Sequence, residues 1–157
     1  MVVDTSPLMY LYLTGHLSVL HKLYGTVVVP VAVQHEIQVG IDQGFDLPNI
    51  EELHWINIQR ASSTGLRPAV VDLGPGETEV IALGLELPDS LLILDDSLAR
   101  QITDLLGLKH TGTLGVLIKA KNAGLIDLLT PIITALRANG MWVSDAVTAD
   151  ALRLAGE

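Results

Sequence analysis

Short, wholly apolar runs alternate along this chain with longer stretches in which apolar positions recur every three or four residues. The first pattern predicts buried strands and the second predicts amphipathic helices. Val2-Val3 begins strand one. Ser6-Pro7 then reads as an N-cap followed by proline at the first helical position. Leu8 to Leu13 and Leu17 to Leu23 form two helical pieces broken at Gly15. Thr26 to Val29 is β-branched and short, a second strand ended by Pro30, and Val31 to Ile41 continues as a helix. Residues 42–53 carry Gly44 and Pro48 and read as a loop or irregular helix, and Trp55 to Gln59 alternates as strand three.

The second half repeats the rhythm. Ala61 to Leu73 is a turn-rich connection, Gly74-Pro75-Gly76 punctuates it, and a helix runs from Glu77 to about Leu87. A turn at Pro88-Asp89-Ser90 leads into Leu91 to Leu94, an uninterrupted apolar run of the kind found in buried parallel strands. Ser97 to Leu106 is a helix closed by Gly107, Lys109 to Thr111 a fifth strand, and Leu114 to Ala123 a helix closed by Gly124. Asp127 to Ala138 is another helix, and the remainder holds a short strand at Trp142-Val143 and a final helix. Alternation of this kind predicts an α/β fold of three layers, α/β/α, around a central, mostly parallel five-stranded sheet. We expect a single domain over residues 1–140, with residues 141–157 as an extension packed on it.

Composition narrows the class. The chain has 157 residues, 49% of them hydrophobic, enough for a sizeable core. No apolar run approaches the ~18 residues that cross a bilayer, and no basic, apolar leader opens the sequence. There are no cysteines, which excludes disulfides, thiolate metal sites and cysteine nucleophiles. Together these lead us to expect a cytoplasmic protein with no membrane contact. The formal net charge is −9, from 9 basic and 18 acidic residues. That balance argues against simple electrostatic binding of nucleic acid and suits a basic protein partner.

Five acids stand where this fold would gather them. Asp4 and Asp95 each follow an apolar strand, Asp96 adjoins Asp95, and Glu36 and Glu77 lie near the starts of helices. Ligands of open α/β sheets bind outside the carboxyl ends of the strands. Carboxylates gathered there repel one another, and a hard cation such as Mg²⁺ or Mn²⁺, which prefers oxygen ligands, offsets that repulsion. Metal-assisted phosphoester chemistry follows as the leading expectation. Gly74-Pro75-Gly76 lacks the following Lys-Ser/Thr of a phosphate-binding P-loop. Glu77 and Glu79 both fall in a first helical turn, but residues two apart do not share a helix face, so one of them points into the site; spacing selects Glu77.

In order and spacing, the segments Val2-Val3-Asp4-Thr5-Ser6-Pro7-Leu8, Val29-Pro30 through Glu36, Leu73 through Leu83, Leu94 through Arg100 and Thr111-Gly112-Thr113-Leu114-Gly115 resemble the PIN-domain family. The closest likeness is to stand-alone prokaryotic ribonucleases of the toxin type. Over most of residues 1–125 the resemblance implies a divalent-metal-dependent endoribonuclease with RNA as substrate. It implies Asp4, Glu36, Glu77 and Asp95 as catalytic acids and Asp4, Glu77, Asp95 and Asp96 as metal ligands. Asp96 is expected to cap the following helix or to bind a metal-bound water. Thr5 and Ser6 beside the first acid, Arg100, Thr111 and Thr113 are the expected substrate contacts. The resemblance further implies a toxin–antitoxin pair, with a small antitoxin protein as partner. Together with the apolar composition it leads us to expect a homodimer. Two departures mark this chain: the third acid is Glu where many members carry Asp, and strand four ends Ile-Leu-Asp-Asp without the Thr or Ser many toxins place two residues earlier. With few basic residues around the acids, a catalytically silent PIN-like nucleic-acid-binding or scaffold domain acting through protein partners is the alternative.

Overall fold

The apolar runs become the strands of one sheet. A computed structural model describes residues 1–62 and 72–157. In it β1 (Val2–Val3), β2 (Val27–Pro30), β3 (Ile56–Gln59), β4 (Leu91–Ile93) and β5 (Lys109–Thr111) lie in the order β3-β2-β1-β4-β5. All four pairings are parallel. Val2 pairs with Val28 on one side and Leu92 on the other, which makes β1 the central strand. Val2, Val3, Leu92 and Ile93 have no exposed surface, as expected of parallel strands covered on both faces. The turn-rich connection expected over Ala61 to Leu73 falls mostly on residues 63–71, outside the described residues.

Eight helices are described: α1 (Thr5–Leu13), α2 (Ser18–Tyr24), α3 (Val31–Asp42), α4 (Pro75–Glu86), α5 (Ser97–Leu105), α6 (Thr113–Asn122), α7 (Thr130–Ala138) and α8 (Asp145–Ala155). With the sheet they form a three-layer α/β/α fold. A single 3-10 turn at Ile50–Glu52 interrupts the loop before β3. Leu8, Leu11, Ile37, Ile81, Leu117 and Leu136 carry the helical share of the core, each at most 2% exposed. Helix α4 packs against β1, β2 and β4, the middle of the sheet.

Most boundaries shift from the sequence reading; α4 starts at Pro75, two residues early, and β2 runs on through Pro30 rather than ending before it. Helix α1 starts two residues early, with Asp4 rather than Ser6 at the N-cap position. Pro7 is tolerated there because the first helical N–H groups have no intrahelical acceptor. Helix α7 starts at Thr130, three residues late, because its first N–H groups are bonded by a distant carboxylate: Glu157 accepts from the backbone N–H of Leu129 and, at 3.1 Å, from that of Thr130. Helix α6 begins one residue early, at Thr113. Trp142-Val143 forms no strand; Arg137 instead takes the Val143 carbonyl at 2.7 Å and also reaches Asp145 and Thr148, which fixes the turn into α8. Ala151 and Ala155 of α8 are buried in the common core.

Candidate active site

The sheet changes direction between β1 and β4, since β2 and β3 lie to one side of β1 and β4 and β5 to the other. Such a switch point opens a crevice at the carboxyl ends of the strands. Asp4 stands at the end of β1, its backbone N–H bonded to the Ile93 carbonyl of β4 at 3.1 Å. Its side chain does not cap α1. It is 2% exposed, and its Oδ1 is fully buried without a hydrogen-bond partner. Burial pushes its carboxyl up to about 7, and the neighbouring charge of Glu77 pushes the same way. A hydrogen bond from the Thr5 backbone opposes them, and Glu36 and Asp95 add smaller repulsions.

Each of those neighbours is held by different means. Glu36 projects from α3; its Oε1 accepts from the Gly76 N–H at 2.9 Å and its Oε2 from the Thr5 hydroxyl. Gly76 is buried in the first turn of α4. A Cβ there would stand 2.6 and 2.9 Å from the Glu36 carboxylate oxygens and 3.0 Å from Asp4 Oδ1, so the missing side chain is the space the acids use. Glu77 lies in the same turn, close over Gly74. Glu79, two residues on, turns elsewhere: its Oε2 accepts from the Ala32 N–H at 2.6 Å and its Oε1 from the Ala61 N–H at 3.0 Å. It clasps the start of α3 to the end of β3.

Asp95 faces the cluster from beyond β4. The Thr113 N–H donates to its Oδ1 at 2.8 Å and the Thr113 hydroxyl to its Oδ2 at 2.6 Å. Thr113 has no exposed surface, so its hydroxyl serves Asp95 rather than opening outward. Asp96 is exposed and caps α5, accepting from the Ala99 N–H at 2.8 Å. Arg100 donates from Nε to the Leu94 carbonyl at 2.8 Å and brings Nη2 to 3.8 Å from Asp95. Thr111 ends β5 half-buried, its hydroxyl packed over Gly115. Ser6 is half-buried in the first turn of α1.

Sequence reasoning passed over the part that two glycines play. Gly76 and Gly112 are both seats for charged side chains: a Cβ on Gly112 would collide with Arg100 and approach Asp95 to 2.7 Å. Tyr10 is half-buried on α1, and its phenol is raised first by burial and then by the charge of Asp95.

Among the described residues, no three acids or histidines stand close enough to form a ready-made metal cage. The donors on Glu36 and Asp95 hold those carboxylates against their own supports. The donor set nevertheless suits a hard divalent cation: every candidate ligand is a carboxylate oxygen, and Asp4 Oδ1 is buried with nothing to bind. Among the described residues, no helix is long and apolar enough to cross a membrane. A family model described as a PIN domain matches residues 1–157. No curated protein and no solved structure matches the chain.

Proposed function

Since this chain belongs to the PIN-domain family, a group of nuclease-type fold, we propose that it is a divalent-metal-dependent endoribonuclease. The observation that carries the reading is Asp4: a buried carboxylate with one unpartnered oxygen, facing Glu36, Glu77 and Asp95. Such an arrangement costs stability in an empty site and is relieved by a cation. Asp4, Glu77 and Asp95 would hold Mg²⁺ or Mn²⁺. When bound, the cation would lower the pKa of a water, orient it in line with the phosphodiester and offset charge on the leaving oxygen.

The chain's own residues do the positioning. Thr113 fixes Asp95 through both oxygens, so that carboxylate keeps one orientation. Thr5 and Gly76 fix Glu36 in the same way. Each Glu36 oxygen retains a second lone pair, with which it would orient the attacking water. Asp96, as the cap of α5, supports the loop that presents Asp95. No nucleophilic side chain is needed. Cleavage of a mixed structured and single-stranded RNA pool, with Mg²⁺, Mn²⁺ or EDTA, tests the reading against Asp4→Asn. Metal-dependent cutting that the variant loses supports it; cutting by both proteins sinks the site.

The acidic balance of −9 supports a regulatory extension, in which the enzyme is the toxin of a toxin–antitoxin pair and a small basic antitoxin covers the acidic cleft. Copurification from the native host, identified by mass spectrometry, tests it; recovery of the chain alone counts against it. Titration with Mn²⁺ by calorimetry separates both readings from a silent scaffold, which would bind none.

A further inference from the structure

Four carboxylates at one cleft repel a polyanionic substrate as strongly as they attract a cation. A nuclease built on them needs a fixed positive group beside the metal, and Arg100 has that placement. Its stem is pinned by the Nε bond to the Leu94 carbonyl at 2.8 Å. Its Nη2 lies 3.8 Å from Asp95 Oδ1, too long for a hydrogen bond, and 39% of the side chain is exposed. Asp95 already has one short donor on each oxygen, both from Thr113, so it does not depend on the arginine for its orientation. A guanidinium anchored through Nε keeps four further N–H donors in a fork that matches phosphate.

Gly112 gives the second, independent observation. Its backbone is extended, at φ −120° and ψ −176°, a conformation any residue adopts. Backbone freedom therefore does not explain a glycine here. Space does: a Cβ at 112 would collide with the Arg100 guanidinium. The end of β5 is thus shaped to seat that guanidinium next to Asp95.

We propose that Arg100, seated over Gly112 beside Asp95, is the phosphate anchor of this site and grips a backbone phosphate of single-stranded RNA next to the scissile bond. The proposal rests on the ribonuclease reading. It goes beyond that reading in assigning a phosphate grip to one residue and a seat for it to another. The bound phosphate replaces the loose contact to Asp95, while the Nε bond to Leu94 holds the fork in place.

The test uses the full chain and an end-labelled, random-sequence single-stranded RNA pool with Mn²⁺. Steady-state cleavage is measured for wild type, Arg100→Ala, Arg100→Lys and Gly112→Ala. Binding is measured by anisotropy across a salt series, each change being made in an Asp4→Asn background that does not cut. Arg100→Ala is expected to raise KM about tenfold with a much smaller change in kcat, and to reduce the slope of log affinity against log salt by about 0.7, the share of one phosphate on a single strand. Arg100→Lys restores the slope but only part of KM, because an ammonium keeps the charge and loses the fork. Gly112→Ala raises KM with the arginine still present, while its melting temperature and circular dichroism report the fold. Wild-type KM and salt slope in Arg100→Ala overturn the anchor alone. A wild-type protein that neither binds nor cuts the pool overturns the ribonuclease reading and the anchor with it.

Discussion

Thr113 holds Asp95 at both carboxylate oxygens, by its backbone N–H at 2.8 Å and its hydroxyl at 2.6 Å. The two donors belong to the first residue of α6, so the start of one helix fixes the acid that follows β4. Thr113→Val keeps the volume and removes the hydroxyl donor. A hydrogen bond to a charged group contributes about 1.5–3 kcal/mol, and the variant is expected to lose stability in that range. Its cleavage rate should fall as Asp95 gains rotational freedom, and Thr113→Ser should recover most of both. Urea melts with single-turnover cleavage check this; a full-rate Thr113→Val would show that the grip is idle.

Asp4 gives the metal-free protein a pH-dependent cost. Its folded-state carboxyl titrates at about 7, raised from an ordinary 3.8. Between those values the folded chain keeps a proton that the unfolded chain releases, so stability falls as pH rises from about 4 to about 7. The full loss is on the order of 4 kcal/mol above pH 7. Asp4→Asn removes that slope. In EDTA at pH 8 the variant should therefore have the higher urea midpoint, although it cuts no RNA. At pH 4 the two proteins should converge. Equal midpoints at both pH values would contradict the buried, crowded carboxylate.

A bound cation would relieve the same strain. Mn²⁺ should raise the melting temperature of the wild type more at pH 8, where Asp4 would otherwise be an uncompensated charge, than at pH 5. The increment should shrink in Asp4→Asn and in Glu77→Gln. Scanning calorimetry at matched ionic strength separates this from general charge screening, and an equal response to Na⁺ would count against a specific site.

Glu77 and Glu79 should part company on substitution. Glu79 accepts from Ala32 and Ala61 and clasps α3 to the end of β3. Glu79→Ala leaves two backbone donors without their acceptor, at about 1–3 kcal/mol each when buried, and should lower the melting temperature clearly. Glu77→Gln removes a repulsion from Asp4 and should leave the metal-free fold as stable or more so while cleavage is lost. The reverse pattern would exchange their roles.

Gly76→Ala tests how tightly the cleft is built. The added methyl would fall 2.6 Å from one Glu36 oxygen and 3.0 Å from Asp4 Oδ1, so both acids must shift. Helix propensity alone favours alanine over glycine by about 1 kcal/mol. We expect cleavage to drop at least tenfold with Mn²⁺ affinity, a misplacement effect of the size that displaced catalytic groups produce, and any propensity gain to be outweighed. Unimpaired metal binding would mean the acids have room to spare.

The order of strands and helices was legible because parallel strands buried on both faces become uninterrupted apolar runs, and Leu91 through Leu94 is such a run. Helix geometry separated Glu77 from Glu79, since residues two apart face different ways, and spacing selected Glu77. What local pattern did not carry were partnerships across the chain. Nothing near Thr130 announces that Glu157 bonds the start of α7, so that helix was begun too early. Nothing near Ser6 shows that Asp4 takes the N-cap position while its side chain turns into the cleft. The role of Gly112 was hidden for the same reason: its neighbour Arg100 comes from another helix, and a glycine in a strand-to-helix turn has an ordinary local explanation.

The central position of β1 also governs when the acidic cleft is assembled during synthesis. The first strand made is flanked by β2 and by β4, and its β4 partner Leu92 is separated from Val2 by most of the intervening fold. Contacts so distant in sequence close slowly and late. Asp4 is made before the other acids, yet it cannot be enclosed until β4 has been made, nor face a fixed Asp95 until Thr113 has followed. The acidic cleft is therefore completed only once Thr113 has been made, a delay that arises from strand order alone.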